Sequence, residues 1–460
     1  MGVPASTDIL LGPATELARM LRERELSAVE LVELHVARIE ERNGELNALV
    51  LRRLEQARGE AVAADRALAA GAPIGPLHGI PFTAKDAIAV AGMRWPNGSR
   101  LFADDVAGYD APAIRRMRGA GAILLGKTNV PEFCAFYDTV NDLFGATRNP
   151  HAPERSAGGS SGGEAVAVAS GMSALGIGSD LGSSIRNPAH FTGVFGLKPS
   201  RELVPCTGHA PDVETPLWSR LAVIGPLARS ANDLELALAV LAGYPPAAPR
   251  PGAGTVGVYD EDFLQPVAGD CRRAVRLAAE ALADAGHKLV EERPPRQEEI
   301  RGWFDLLVAV EFAAALASLA AGREDELSRY GRMAVESARS IDVPLAGYLD
   351  AWTQLGILER EVDEWFERRR LALCPVAPGP APPIGEGFTE IDGEPVRPGG
   401  KLTLCTLANA VGLPAAAVPV LRTDDGLPIG VQLIGGRGRD LEVIAAARTL
   451  EQACGGFIAP

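Results

Sequence analysis

From Gly71 to about Lys198 the chain spells short apolar runs punctuated by glycine, and this alternation restricts its folds more than any other feature. A run such as Ala122-Ile123-Leu124-Leu125 suits a strand buried on both faces and is too short for a helix. Stretches with helical spacing, such as 111–120, lie between the runs. Strand alternating with helix predicts an α/β fold in which helices pack on a sheet. Outside this stretch, residues 14–42 predict a helix. Leu31, Val32, Leu34, Val36 and Ile39 recur along it, and Ser27 with Glu30 forms a capping box. Further helices are expected over 53–71, 270–286, 299–370 and 439–454. The Pro/Gly-rich stretches 245–256 and 375–400 read as surface connections.

Bulk chemistry narrows the function. The hydrophobic fraction of 47% and charged fraction of 23% fit an ordinary globular chain. A net charge of -14 opposes phosphate backbones, so no nucleic-acid partner is expected. The six cysteines (Cys134, Cys206, Cys271, Cys374, Cys405 and Cys454) form no CxxC pair, and the six histidines form no HExxH. They read as reduced, mostly buried thiols, and neither a metal nor a cofactor is expected. The longest uncharged stretch, Leu402 to Leu421, contains Asn409, Pro414 and Pro419. It predicts a buried helix followed by a strand, not a membrane span. The amino terminus lacks the order of a signal peptide, so a cytoplasmic protein without a membrane partner is expected.

The chemistry concentrates in Gly158-Gly159-Ser160-Ser161-Gly162-Gly163. Glycine loses the most backbone freedom on folding, so such a loop is costly to order. A flexible linker would explain it, but the apolar run Ala165 to Ala169 follows directly. The loop therefore reads as a place of close backbone approach. Upstream, His78-Gly79-Ile80-Pro81-Phe82-Thr83-Ala84-Lys85-Asp86 sets a lone lysine among small and apolar residues. Burial would lower its pKa and leave a neutral amine able to act as a base. The plainer alternative is a surface lysine or one paired with Asp86. Downstream, Gly178-Ser179-Asp180-Leu181-Gly182-Ser183-Ser184-Ile185-Arg186-Asn187-Pro188 again clusters small residues with serine, ahead of Gly193-Val194-Phe195-Gly196-Leu197-Lys198-Pro199.

Taken in order, these segments resemble the signature of the amidase signature family. Gly126-Lys127-Thr128-Asn129, Gly225-Pro226-Leu227 and Gly426-Leu427-Pro428-Ile429-Gly430 extend the resemblance over most of the chain. It implies an α/β amidase signature fold, a central twisted mixed β-sheet covered by helices on both faces. It also implies one domain over 1–460, with a catalytic signature core at 71–200 and a mostly helical insertion at 245–370 shaping the substrate entrance. Site roles follow residue by residue. Ser184 matches the nucleophile, Ser160 the bridging serine after a cis Gly159–Ser160 bond, and Lys85 the base. The backbone N–H groups of Leu181, Gly182, Ser183 and Ser184 match the oxyanion hole, with Ser161, Asp180 and Arg186 in support. Ser183 departs from the usual glycine and could narrow the pocket or offer a hydroxyl. Phe133, Cys134, Phe136 and Tyr137 are expected beside the acyl group, with Trp218 near the entrance.

The implied activity is hydrolysis of a small-molecule amide, ester or carbamate through an acyl-enzyme, by a protein that could form a homodimer. The family also includes glutaminase subunits of tRNA-dependent amidotransferases. They hold the glutamine carboxylate with an arginine, where this chain has Leu355, with Arg360 nearby. Two literal motif matches point elsewhere. Gly158 to Gly162 satisfies GxSxG, the α/β-hydrolase elbow, with His190, His209 or His287 available downstream, but a poor strand, 152–156, precedes it. Gly121 to Thr128 satisfies the phosphate-loop pattern, but its middle reads as a strand.

Overall fold

The computed structural model describes residues 6–210, 215–250, 252–340, 342–396 and 403–460. Among them, eleven strands join one sheet. In chain order they are β1 (Leu49–Arg52), β2 (Pro81–Lys85), β3 (Ile123–Thr128), β4 (Leu175–Asp180), β5 (Phe195–Lys198) and β6 (Val223–Ala228). Then follow β7 (Thr255–Val258), β8 (Lys288–Glu291), β9 (Leu371–Pro375), β10 (Ala415–Arg422) and β11 (Pro428–Gly435). Across the sheet the order is β1-β3-β2-β4-β6-β5-β10-β11-β9-β7-β8. β3, β2 and β4 run parallel, as do β9, β7 and β8. The other neighbours are antiparallel. This is the expected α/β fold, a mixed sheet flanked by helices. Every residue of β2, β3 and β4 is buried, including Lys85, Lys127 and Asp180 at or near their carboxyl ends, where the apolar and small runs give way to charged groups.

The expected helix over 14–42 is divided. Ala14–Arg22 stops, Arg24 takes φ 59°, and Ala28–Leu46 restarts behind the Ser27/Glu30 capping box. The left-handed residue turns the chain so that both helices lay their apolar faces on the core. Helices are present at Leu54–Ala69, Pro112–Gly119, Gly269–Asp284 and Asp440–Cys454, within a residue or two of expectation. The uncharged stretch forms the short helix Thr406–Ala410 and then β10.

Residues 245–370 supply β7 and β8 as well as helices. A π-helical turn, Val308–Phe312, joins Gln297–Leu307 to Ala313–Leu319. By length and composition, Gln297–Leu319 is long and apolar enough to cross a membrane. In the fold its Ile300, Phe304, Leu307 and Leu316 enter an apolar cluster. Its Glu311 accepts hydrogen bonds from the Leu217 N–H, the Tyr348 hydroxyl and the Trp352 Nε1–H. Both literal motif matches fail on local structure. Ile123–Thr128 is strand β3, with Lys127 buried and ion-paired. Residues 152–156, just before the GxSxG match, contain turns and isolated bridges but no strand.

Candidate active site

Parallel strands deliver their carboxyl ends to one edge, where the following loops can meet. Lys85 is the last residue of β2, and Ser179 and Asp180 end β4. The chain leaving β3 runs through Asn129 to Tyr137 over the same edge. Helix Gly162–Ala169 is pinned beneath by Glu164. This carboxyl accepts from the Thr83 hydroxyl on β2 and the Thr128 hydroxyl on β3, each at 2.7 Å. Burial pushes Glu164 up to about 8.

Lys85 is fully buried. Its Nζ lies 2.6 Å from Ser160 Oγ and 2.9 Å from Ser179 Oγ. Burial lowers its pKa, against the opposing pull of Cys134, Asp180 and Glu164. Pairing with Asp86 does not occur, because Asp86 is engaged with Lys127 at 3.1 Å.

The Gly159–Ser160 bond is cis. A side chain on Gly159 would put its Cβ 2.7 Å from the Phe136 carbonyl oxygen, so only glycine lets the 136–138 backbone lie against this loop. The Ser161 N–H donates to the Ser184 carbonyl at 3.0 Å, tying the two serine loops together. The Ser161 hydroxyl donates to the Ser179 carbonyl at 3.2 Å.

The Ser184 loop is held from behind. Arg186 Nε and Nη2 donate to both Asp180 oxygens, at 3.0 and 2.9 Å, and both side chains are fully buried. Burial raises the Asp180 carboxyl, but the Arg186 guanidinium more than reverses this and holds it at about 2. Arg186 also donates to the Cys405 carbonyl, Gln432 and Asn409, satisfying the rest of its fork. The N–H groups of Gly182, Ser183 and Ser184 donate to no acceptor among the described residues. Ser183 neither narrows the pocket nor adds a hydroxyl to it. Its Oγ is buried without a partner and is absent from the cavity wall.

The site opens into a cavity of about 80 Å³. Ser160, Ser179, Asp180, Ser184 and His209 bring polar groups to it, and Phe133, Cys134, Phe136, Tyr137, Leu181, Gly182 and Trp218 also line it. Phe133 and Cys134 take φ 55° and 58°, in the left-handed region, so this corner of the wall holds strained backbone. Sequence reasoning missed Ser179, and it expected the 245–370 insertion at the entrance without naming Phe304, Val308 and Phe312, which line the cavity from it. It met His209 only as a rival triad member. Here Ser179 Oγ lies 2.7 Å from His209 Nε2, extending the chain from Lys85. Burial and the nearby Lys85 lower His209 to about 3, so its imidazole is neutral. The Ser179 signal was the residue before the aspartate of a recognised motif. The His209 contact crosses strands and had no local signal.

The site thus brings together a buried lysine on a serine, a second serine loop tied to the first and backbone N–H groups without acceptors among the described residues. The chain belongs to the amidase family, whose profile matches residues 30–444, and it is an amide hydrolase. It is 33% identical to an indoleacetamide hydrolase of Bradyrhizobium diazoefficiens, covering 96% of this chain and 86% of that protein. It is also 33% identical to a glutamyl-tRNA(Gln) amidotransferase subunit of Moorella thermoacetica, covering 96% of each. Among solved structures, a 6-aminohexanoate cyclic dimer hydrolase superposes with a TM-score of 0.85 at 30% identity, covering 97% of each chain. A bacterial aryl acylamidase gives a TM-score of 0.85 at 28% identity, covering 96% of each.

Proposed function

We propose that this amidase hydrolyses small-molecule amides of apolar or aryl acids through an acyl-enzyme on Ser184. The observation that carries the reading is the 2.6 Å approach of a desolvated Lys85 amine to Ser160 Oγ. Neutral Lys85 takes the Ser160 hydroxyl proton as Ser160 takes that of Ser184, and Ser184 Oγ attacks the carbonyl carbon. Negative charge moves to the carbonyl oxygen, held by N–H groups of Leu181, Gly182, Ser183 and Ser184, each such donor worth roughly 3 kcal/mol. Ser160 then protonates the leaving nitrogen, the C–N bond breaks, and Lys85 returns a proton to Ser160. Water hydrolyses the ester by the same steps. Esters and carbamates fit the same carbonyl chemistry.

Ser179 and His209 position Lys85. With Ser160 on the amine lone pair, a Lys85 N–H donates to Ser179 Oγ, whose own proton donates to His209 Nε2. The proton of His209 is then on Nδ1. The apolar wall favours an uncharged acyl group. Residues 71–200 act as the catalytic signature core of a single domain over 1–460, and the helices of 245–370 shape the entrance. A cytoplasmic location is supported by six cysteines that are all free thiols. A homodimer is the proposed assembly, checked by light scattering.

Relatives that belong to amidotransferases favour a second reading, glutamine hydrolysis within a complex. Against it, no arginine lines the cavity among the described residues, and Leu355 is buried in an apolar cluster. The test is labelling with a fluorophosphonate, followed by peptide mapping. An adduct on Ser184 that is lost in Lys85→Ala supports the relay. An adduct on Ser160 that survives in that variant sinks it.

A further inference from the structure

A second cavity, of about 260 Å³, lies across the wall formed by Phe136 and Tyr137, which line both chambers. Ser184 lines the first chamber, and Asn187, three positions further along the chain, lines the second. The two chambers therefore flank one short segment of chain, Ser184 to Asn187.

The second chamber differs in chemistry. Its walls carry two aromatic pairs, Phe136 with Tyr330 at 5.0 Å and Phe191 with Phe388 at 6.2 Å between ring centroids. Two carboxylates, Asp138 and Glu386, line it, with no lysine or arginine among the described residues of its wall. Asp138 is fixed by the Ser156 hydroxyl at 2.7 Å and the Gly385 N–H at 2.6 Å. Asn187 is fully buried, and its amide donates to the Tyr137 carbonyl at 3.3 Å. Its Oδ1 has no partner among the described residues. A buried acceptor left unpaired is destabilising, and a ligand donor would recover that loss. Acceptors, ring faces and negative charge, with no cationic side chain among the described residues of the wall, select a positively charged ligand.

Resting on Ser184 as nucleophile, we infer that the second chamber binds the amine half of the substrate. That amine carries a further protonated nitrogen on an apolar stem. Calorimetric titration of the Ser184→Ala protein with 4-phenylbutylammonium, 4-phenylbutanol and 4-phenylbutanoate tests this without turnover. The ammonium is expected to bind about tenfold more tightly than the alcohol, and the carboxylate more weakly than either. Exposed Glu386→Gln should cut the ammonium's advantage about threefold, and Asn187→Leu should cut it further. Equal binding of ammonium and alcohol, no binding of any of the three, or an advantage untouched by both variants overturns the inference. Fluorophosphonate labelling of Ser184 in the unaltered protein reports separately on the catalytic reading.

Discussion

Two lysines on adjacent strands show how one residue type meets opposite surroundings. Lys85 ends β2 and Lys127 lies on β3, where Ala84 pairs with Lys127 and Lys85 pairs with Thr128. Both are fully buried, and burial lowers both pKa values. Successive side chains of a strand point to opposite faces, so the register sends them to different neighbours. Lys127 meets the Asp86 carboxylate and the Arg94 carbonyl. Lys85 meets two hydroxyls, Ser160 and Ser179. A carboxylate partner stabilises the ammonium and makes a brace. Hydroxyl partners leave the amine free to become neutral, which a base requires.

The strongest way to break this contrast is at the chemistry. Ser184→Ala and Lys85→Ala should each lower kcat by roughly 10⁴-fold or more, and the double variant should fall little further, because the groups act as one unit. Steady-state kinetics checks this, and additive losses would count against the relay. At the other lysine the loss should be of stability. Asp86→Ala leaves Lys127 buried without its counter-charge and should cost about 3–5 kcal/mol in denaturant unfolding. Under native conditions its kcat should stay near that of the unaltered enzyme.

Protonation gives a third test. Burial holds His35 and His190 at about 4, well below the ordinary 6.5. The unfolded chain binds these protons more readily than the folded one. Stability conferred by the neutral imidazoles is therefore full above about 6.5 and falls as pH drops toward 4, by roughly 3 kcal/mol per group. Thermal unfolding across that window reads it out, and His190→Gln should flatten the slope.

The smallest effect concerns how Lys85 is positioned. Ser179→Ala removes an acceptor that favours the charged amine. The acidic limb of the kcat/KM profile, set by loss of neutral Lys85, should move to lower pH, and kcat should drop about tenfold. His209→Ala should shift the limb in the same direction by less. An unmoved limb in both would reduce Ser179 and His209 to packing.

Much of this protein is written locally. The capping box of Ser27 and Glu30, the apolar runs of β2 to β4 and the glycine-serine loop each depend on near neighbours in the chain. Their periodicity and composition therefore exposed helices, strands and the glycine-serine loop, while the roles expected of Lys85, Ser160 and Ser184 came from the family resemblance. The break at Arg24 was hidden, because the apolar spacing continues across it and only packing requires the turn. Other decisions belong to the tertiary structure. Asp86 goes to Lys127 instead of Lys85 because strand pairing sets which side chains share a face. His209 reaches Ser179, and Phe304 and Phe312 roof the cavity, because segments far apart in sequence fold to one sheet edge. Contacts of that kind leave no period or motif in a single chain. The sequence alone determined which groups could react, and tertiary packing decided which of them face each other, because reactivity resides in residue type and partnership in three-dimensional proximity.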